Sequence, residues 1–232
     1  MDCIDTVYTD YPFYGSRRIR IELWDRYRVS VCRQHIQRLM RVLGIEAVYP
    51  KQKPKTSHGD ESHQKYPYLL KGLKITRPNQ VWSTDITYIR LENSWCYLVA
   101  IMDWFSRYII AWRLSETLES DFCVETLKDA LLRDTPDIHN SDQGVQYTSS
   151  EYTDILKDYK IQISMDARGR CFDNIFTERL WRTIKYENVY LQSYRILDDA
   201  RDGLSEYIDF YNGKRKHQAL GYQTPASLYL ND

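Results

Sequence analysis

The sequence contains no run of about 18 apolar residues, the length a helix needs to cross a bilayer. Its opening, MDCIDTVYTDYP, is acidic and lacks the apolar stretch of a secretory signal. No disulfide framework is visible either. The five cysteines (Cys3, Cys32, Cys96, Cys123 and Cys171) are scattered, odd in number and without a CxxC pair, which suits reduced thiols in a cytoplasm. Net charge is missing too, with 32 basic residues against 32 acidic ones, but that balance conceals a division. Residues 1–80 carry 15 Lys and Arg against 8 Asp and Glu, whereas residues 81–232 carry 17 against 24. A basic module precedes an acidic one. Basic blocks often meet nucleic acid phosphates, and a solvated helix face gives the same composition.

What is present is enough for a core. The 232 residues are 43% hydrophobic and include six Trp, which fits one globular domain of ordinary size with a smaller appendage. Residues 1–13 are Tyr-rich and show no clear period. From Tyr14 to about Tyr49 the pattern turns helical: RRIRIELWDRYRV places Ile19, Leu23, Trp24 and Tyr27 towards one side. Ser30 is a candidate cap for a second helix carrying Val31, Ile36, Leu39, Met40 and Leu43, and Gly44 is a natural stop. Two short helices laced with Arg17, Arg18, Arg20, Arg33, Arg38 and Arg41 resemble a helix-turn-helix that seats against DNA. A helical hairpin packed on its neighbour, with a solvated arginine face, fits the same residues. Residues 1–49 are therefore read as a small helical DNA-binding module.

Residues 50–79 hold four prolines and alternating lysines with little periodicity, so they read as an extended linker. His58 and His63 fall there without Cys at ligand spacing, which argues against zinc. At Gln80 the texture changes. VWSTDITYIRL, SWCYLVAIMDWF and RYIIAWRLS are β-branched and aromatic, with turn-like breaks at Glu92-Asn93 and Ser106, and predict an antiparallel meander. An amphipathic helix, a short strand (DIHNS), a helix (SSEYTDILKDYK) and another short strand (IQISMD) follow. Helices over about 173–190 and 196–211 come next, and Thr224-Pro225 starts a last short helix. The expected fold of residues 80–232 is α/β, a mixed sheet flanked by helices on the ribonuclease H plan.

Three carboxylates stand out. Asp85 sits mid-strand, where an uncompensated buried carboxylate costs several kcal/mol; an Arg or Lys could compensate it, and so could a metal. Asp142 follows the short strand DIHNS and precedes a Gln-Gly turn, at a strand end of the kind that borders ligand crevices. Glu178 lies 36 positions farther on, with 35 residues between. At 100° per residue it shares a helix face with Asn174, Arg182 and Lys185, opposite Phe176, Leu180 and Ile184. Glu178 and Arg182 alone would be an ordinary i,i+4 pair. Three carboxylates can hold two hard cations about 4 Å apart, the arrangement that activates an attacking hydroxyl and stabilises a leaving oxygen in phosphodiester chemistry. Asp103 is the decoy: it fits a salt bridge to Arg107 or a place near the site, and the structural role is preferred.

The runs WSTDITYI, HNSDQGVQYTS, RGRCFDNIFTERLWRTIKYE and YNGKRKHQALGYQTPASLY, in that order over residues 14–230, strongly resemble the B subunit (OrfB) of IS-three-type insertion-sequence transposases, which share the catalytic core of retroviral integrases. The resemblance implies a catalytic and metal-binding triad of Asp85, Asp142 and Glu178, with two Mg²⁺ ions for which Mn²⁺ substitutes. It implies DNA contacts at Lys185, and with the arginine pattern it extends them to Arg182, Arg17, Arg18 and Arg20. Expected partners are the element ends and target DNA, an A-frame partner or fusion, and further copies of the same chain, in a bacterial cytoplasm near the nucleoid, with no membrane. Members of the family generally extend farther upstream. The short opening before YPFYGSRRI therefore points to a truncated copy or to a B-frame product that works with its partner. The alternatives are a simple nuclease of the ribonuclease H type and a truncated, non-catalytic DNA-binding regulator. The KRKH run at 214–217 is a candidate DNA-backbone loop that is equally well an ordinary exposed one.

Overall fold

The computed structural model describes residues 1–48, 65–166 and 175–230. His58, His63, Cys171 and Asn174, and the linker before Lys65, lie outside the described residues. Helices α1 (Asp2–Asp10), α2 (Ser16–Tyr27) and α3 (Arg33–Val42) come first. Strands β1 (Val81–Arg90), β2 (Trp95–Asp103) and β3 (Ile109–Ser115) follow, then α4 (Asp121–Leu131), β4 (Ile138–Ser141), α5 (Val145–Thr148), α6 (Ser150–Asp158) and β5 (Gln162–Met165). The chain ends with α7 (Ile175–Ile184), a π-helical turn (Lys185–Val189), α8 (Tyr190–Gln192), α9 (Leu197–Gly213) and α10 (Pro225–Tyr229).

The strands form one sheet in the order β3-β2-β1-β4-β5. The first three run antiparallel, and β4 and β5 add in parallel. This is the mixed sheet expected from the meander and the alternating tail. Side chains alternate across it with the period of two that a strand imposes. Val99 and Ile101 enter the core under α4 and α6, while Leu98, Ala100 and Met102 enter the core under α7 and α9. With both faces covered, the centre of β1 is largely dry, which sets the electrostatics of Asp85.

The amino-terminal module has its own core of Ile4, Val7, Tyr14, Ile19, Leu23, Ile36 and Met40. Three details differ from the sequence reading. The aperiodic opening is helical, because Ile4 and Val7 give α1 a buried stripe against α2. Trp24 and Tyr27 are exposed, so Ile19 and Leu23 carry the packing face of α2. The second helix starts after Cys32 instead of Ser30, while Gly44, at φ +68°, ends it as a left-handed residue should. From Lys65 onward the predicted linker packs on the core: Leu70 is buried with Val81 and Ile138, and the Leu69 amide donates to Ser164 Oγ at 3.1 Å. Among the described residues no helix is long and apolar enough to cross a membrane, and Cys3, Cys32, Cys96 and Cys123 are free.

The module is docked on the core. Tyr11 stacks on Phe210 of α9 with ring centroids 5.0 Å apart. Beneath that contact lies a buried ion network. Glu187, in the π turn, accepts two hydrogen bonds from Arg215 at 2.6 Å each, one from Arg18 at 3.2 Å and one from the Tyr207 hydroxyl at 2.8 Å. Lys216 pairs with Asp25 at 3.0 Å. The candidate basic loop at 214–217 thus buries Arg215 and pairs Lys216 with Asp25 nearer the surface, a consequence of long-range pairing that residue type could not reveal.

Candidate active site

Asp85 lies near the middle of β1, and β4 runs parallel beside it with Ser83 opposite Asn140. Asp142 is the residue after β4, so the parallel register, carried two residues past the Ser83–Asn140 pair, sets it beside Asp85. A sequence that ends a buried strand in Asn-Ser-Asp-Gln-Gly leaves the sheet at once: the Gly144 amide turns back and donates to Asp142 Oδ1 at 2.9 Å. Gly144 also leaves room for that carboxylate, since a methyl group there would stand 2.9 Å from Asp142 Oδ1 and 3.2 Å from Gln146 Oε1.

Electrostatics bind the two aspartates into one unit. Burial pushes the Asp85 carboxyl up to about 7, and repulsion from Asp142 adds to the shift. N–H donors from Trp181 and Ile86 oppose it, each at 2.9 Å. Lost hydration also raises Asp142, with the Gly144 amide pulling the other way, although Asp142 is the more exposed of the two. Asp166, just beyond β5, adds a weaker repulsion to Asp85 and is held by the Asn140 side-chain amide at 2.9 Å. Adjacent carboxylates with so little compensation are an unstable arrangement that a cation relieves.

Helix α7 closes the site. Thr177 Oγ1 lies 3.1 Å from Ser83 Oγ, and Trp181 Nε1 donates to Asp85 Oδ2, so two successive turns of α7 are tied to β1. Leu180 and Ile184 are buried as expected. Phe176 is only partly buried, with its ring edge-on to Trp104 and the Arg107 guanidinium over its face at 3.3 Å. Glu178 is exposed, and among the described residues no three His, Cys, Asp or Glu side chains stand close enough together to hold a metal ion. The structure therefore brings Asp85 and Asp142 together and puts Glu178 on the helix that touches Asp85, one turn before Trp181. Lys185 is half-buried; burial lowers its ammonium, while attraction to Asp85 opposes that shift. Arg182 is exposed and faces the amino-terminal module. Arg17 donates to Gln218 Oε1 at 3.1 Å and Arg18 reaches Glu187, so both meet the core, whereas Arg20 is exposed.

Asp103 is structural, though through hydrogen bonds to Asn79 and Ser106 and not through an ion pair with Arg107. Its oxygens accept from the Asn79 amide at 2.9 Å and from the Ser106 amide and hydroxyl at 2.7 and 2.6 Å, which fixes the β2–β3 turn. Two contributors escaped the sequence reading. Trp181 had a usable signal, its i+3 spacing from Glu178, but the face reading assigned it to neither side. Asp166 had only its place at the end of a short strand.

With this geometry in view, the comparisons with known proteins are specific. Integrase core domain families match residues 75–171 and 159–225, and an HTH-like domain family matches residues 1–53. The chain is 31% identical over 217 residues to the transposase for insertion sequence element IS904 of Lactococcus lactis, covering 91% of this chain and 85% of that one. It is 32% identical over 220 residues to the 31 kDa protein of insertion element IS600 of Shigella sonnei, covering 93% and 80%. Among solved structures, the HTLV-2 integrase catalytic core domain in complex with magnesium superposes with a TM-score of 0.53 at 19% identity, covering 67% of this chain and 99% of that one. That likeness establishes the ribonuclease-H-like fold of the core. On the sequence matches, this chain belongs to the insertion-sequence transposases, DNA-recombining enzymes built on an integrase core.

Proposed function

We propose that Asp85, Asp142 and Glu178 act as one metal-dependent site that cleaves DNA at element ends and joins the freed 3′-hydroxyl to target DNA. The observation that carries this reading is Asp85, near the middle of β1, beside Asp142, just past the end of β4, with burial first and Asp142 second raising Asp85, and with the Glu178 helix tied to the same aspartate through Trp181.

The donor set fits a hard divalent cation, because carboxylate oxygens are what such ions prefer and, among the described residues, no ion pair holds either aspartate. Asp85 and Asp142 would hold the metal, with Glu178 as the third carboxylate. Mg²⁺, as two ions and replaceable by Mn²⁺, would supply Lewis-acid polarisation of the phosphate and a more acidic attacking water or hydroxyl. The protein does the rest. Trp181 fixes one oxygen of Asp85, and the Gly144 amide fixes one of Asp142. Lys185 stands where its ammonium can offset charge on a phosphate oxygen. Arg182 and Arg20 serve the DNA backbone, and Arg17 and Arg18 serve it from the module's contact with the core. Residues 1–49 act as the DNA-binding module, 50–79 as the connection and 80–232 as the catalytic unit. Joining two ends calls for at least two copies, working with an A-frame partner on nucleoid DNA in a bacterial cytoplasm.

The test is strand transfer on duplexes that carry the ends flanking this reading frame, with Mg²⁺ or Ca²⁺, comparing the chain with Glu178→Gln. Joined product is expected only with Mg²⁺ and only from the unaltered chain. Equal joining by both proteins contradicts the triad. No cleavage by either, even with an A-frame partner present, replaces this reading with that of a DNA-binding regulator.

A further inference from the structure

A cleft of about 470 Å³ opens where the amino-terminal module meets the core. Arg17 and Arg18 face it from the first turn of α2, Arg33 from the start of α3 and Arg182 from the last turn of α7, with Tyr186 and Glu187 of the π turn between them. Glu187 is the one carboxylate among these lining side chains. Arg215 already holds it with two 2.6 Å hydrogen bonds, and Arg18 reaches the same group at 3.2 Å. Two guanidiniums on one carboxylate leave one positive charge over. Arg17 is bonded to the neutral Gln218 amide, Arg33 lies 3.4 Å from the neutral Ser16 hydroxyl, and Arg182 is exposed. Arg17, Arg33 and Arg182 are thus three positive charges lining the cleft that have no acidic partner among the described residues.

Three like charges converging on one open space repel each other, and an anion there removes the repulsion. The charges are spread along walls from both modules, which suits a chain of phosphates better than a single one. Guanidinium forks match phosphate oxygens in geometry as well as charge. The Glu187–Arg215 pair then has a purpose beyond stability. It anchors Arg18 and holds the two walls in register, beside the π turn that continues the Glu178 helix.

We infer that this cleft binds the phosphodiester backbone of one DNA strand as it passes from the amino-terminal module to the carboxylate site, using arginines of both modules. The inference rests on DNA being the substrate, as proposed above.

The test is fluorescence anisotropy of a labelled end-containing duplex against the full chain over a salt series, beside strand transfer with the same proteins. Arg33→Gln and Arg182→Gln are suitable because both side chains are exposed. Arg201→Gln, on α9 and paired with Asp198, serves as the control for a simple loss of charge. Each cleft variant is expected to reduce the slope of log affinity against log salt by about one, and the pair together by about two, with Arg201→Gln unchanged. If the unaltered chain binds and joins DNA but the double variant keeps its slope, the cleft reading is wrong and the functional one stands. If the unaltered chain does not bind DNA at all, both are wrong. If sodium phosphate at matched ionic strength displaces DNA more than chloride does, and this difference vanishes in the double variant, the cleft selects free phosphate and the inference is overturned.

Discussion

Trp181 Nε1 donates a 2.9 Å hydrogen bond to Asp85 Oδ2 from a position three residues beyond Glu178 on the same helix. An indole is a donor only, so it can face a carboxylate but cannot accept a proton from it. The bond therefore favours ionised Asp85 against the burial that disfavours it, and it fixes α7 relative to β1.

Trp181→Phe keeps most of the buried ring and removes the donor. Outer-shell partners of metal-ligating carboxylates typically matter 10- to 100-fold for metal affinity or activity. Strand transfer should fall by about that factor, with the Mg²⁺ concentration at half-maximal rate shifted upward. Unchanged metal dependence would mean that the indole only packs.

Gly144→Ala tests the space beside Asp142. The added methyl meets a side-chain oxygen at 2.9 Å, so the carboxylate must turn away at little expense to the fold. Activity should drop by at least about tenfold, since small misplacements at a reacting centre are heavily penalised, while thermal unfolding shifts by only a few degrees. A large loss of stability with normal specific activity would point the other way.

Arg215→Ala leaves Glu187 buried with only Arg18 and a hydroxyl. Breaking a buried pair from one side costs about 3–5 kcal/mol, and both partners here are less than a tenth exposed. Urea unfolding should show a loss of that order, and the amino-terminal module should become more sensitive to protease. Loss of stability without faster cleavage of the module would mean that the pair does not hold the docking surface.

His139 and His217 each make stability fall on mild acidification, while Asp85, raised to about 7 by burial, works in the opposite direction over the same range. Burial lowers the His139 imidazole to about 3, and burial followed by the nearby Arg215, Arg18 and Arg107 charges lowers His217 to about 2. The unfolded chain takes up these protons below about 6.5 while the folded chain does not, so stability is lost progressively as pH falls from about 7. For His139 this amounts to about 1 kcal/mol per pH unit. Glu187 acts lower down. Burial alone would raise its carboxyl, but Arg215 and Arg18 hold it below the usual range, so its contribution is present above about 4.3 and disappears as pH falls further. The stability difference between the unaltered chain and His139→Gln, measured from pH 7 to 5, isolates the histidine effect and should move against the unaltered chain as pH falls; a constant difference would contradict it.

The meander and the alternating tail were legible because strand texture and helix spacing are local properties. So was the placing of Asp85 within one strand and of Asp142 at the end of another, whereas the pairing of those two strands was not. The docking of the module was not legible. Arg18, Glu187 and Arg215 are 169 and 28 residues apart in pairs, and nothing in an arginine's local sequence says whether it meets phosphate or a distant glutamate. The π turn was invisible for a similar reason, because LWRTIKYENVY reads as uninterrupted helix and tertiary contacts from Tyr207 and Arg215 decide the fate of Glu187. The helix-face reading of Glu178 had the axis right but counted Trp181 with neither side.

The central claim is that three carboxylates from three elements work as one unit. Its most direct test is strand-transfer rate for Asp85→Asn, Asp142→Asn and Glu178→Gln, singly and all together. Residues that act as a unit are strongly non-additive. Each single variant should therefore lose nearly as much activity as the triple. Losses that multiply towards the triple value, or one variant that retains close to full activity, would contradict it.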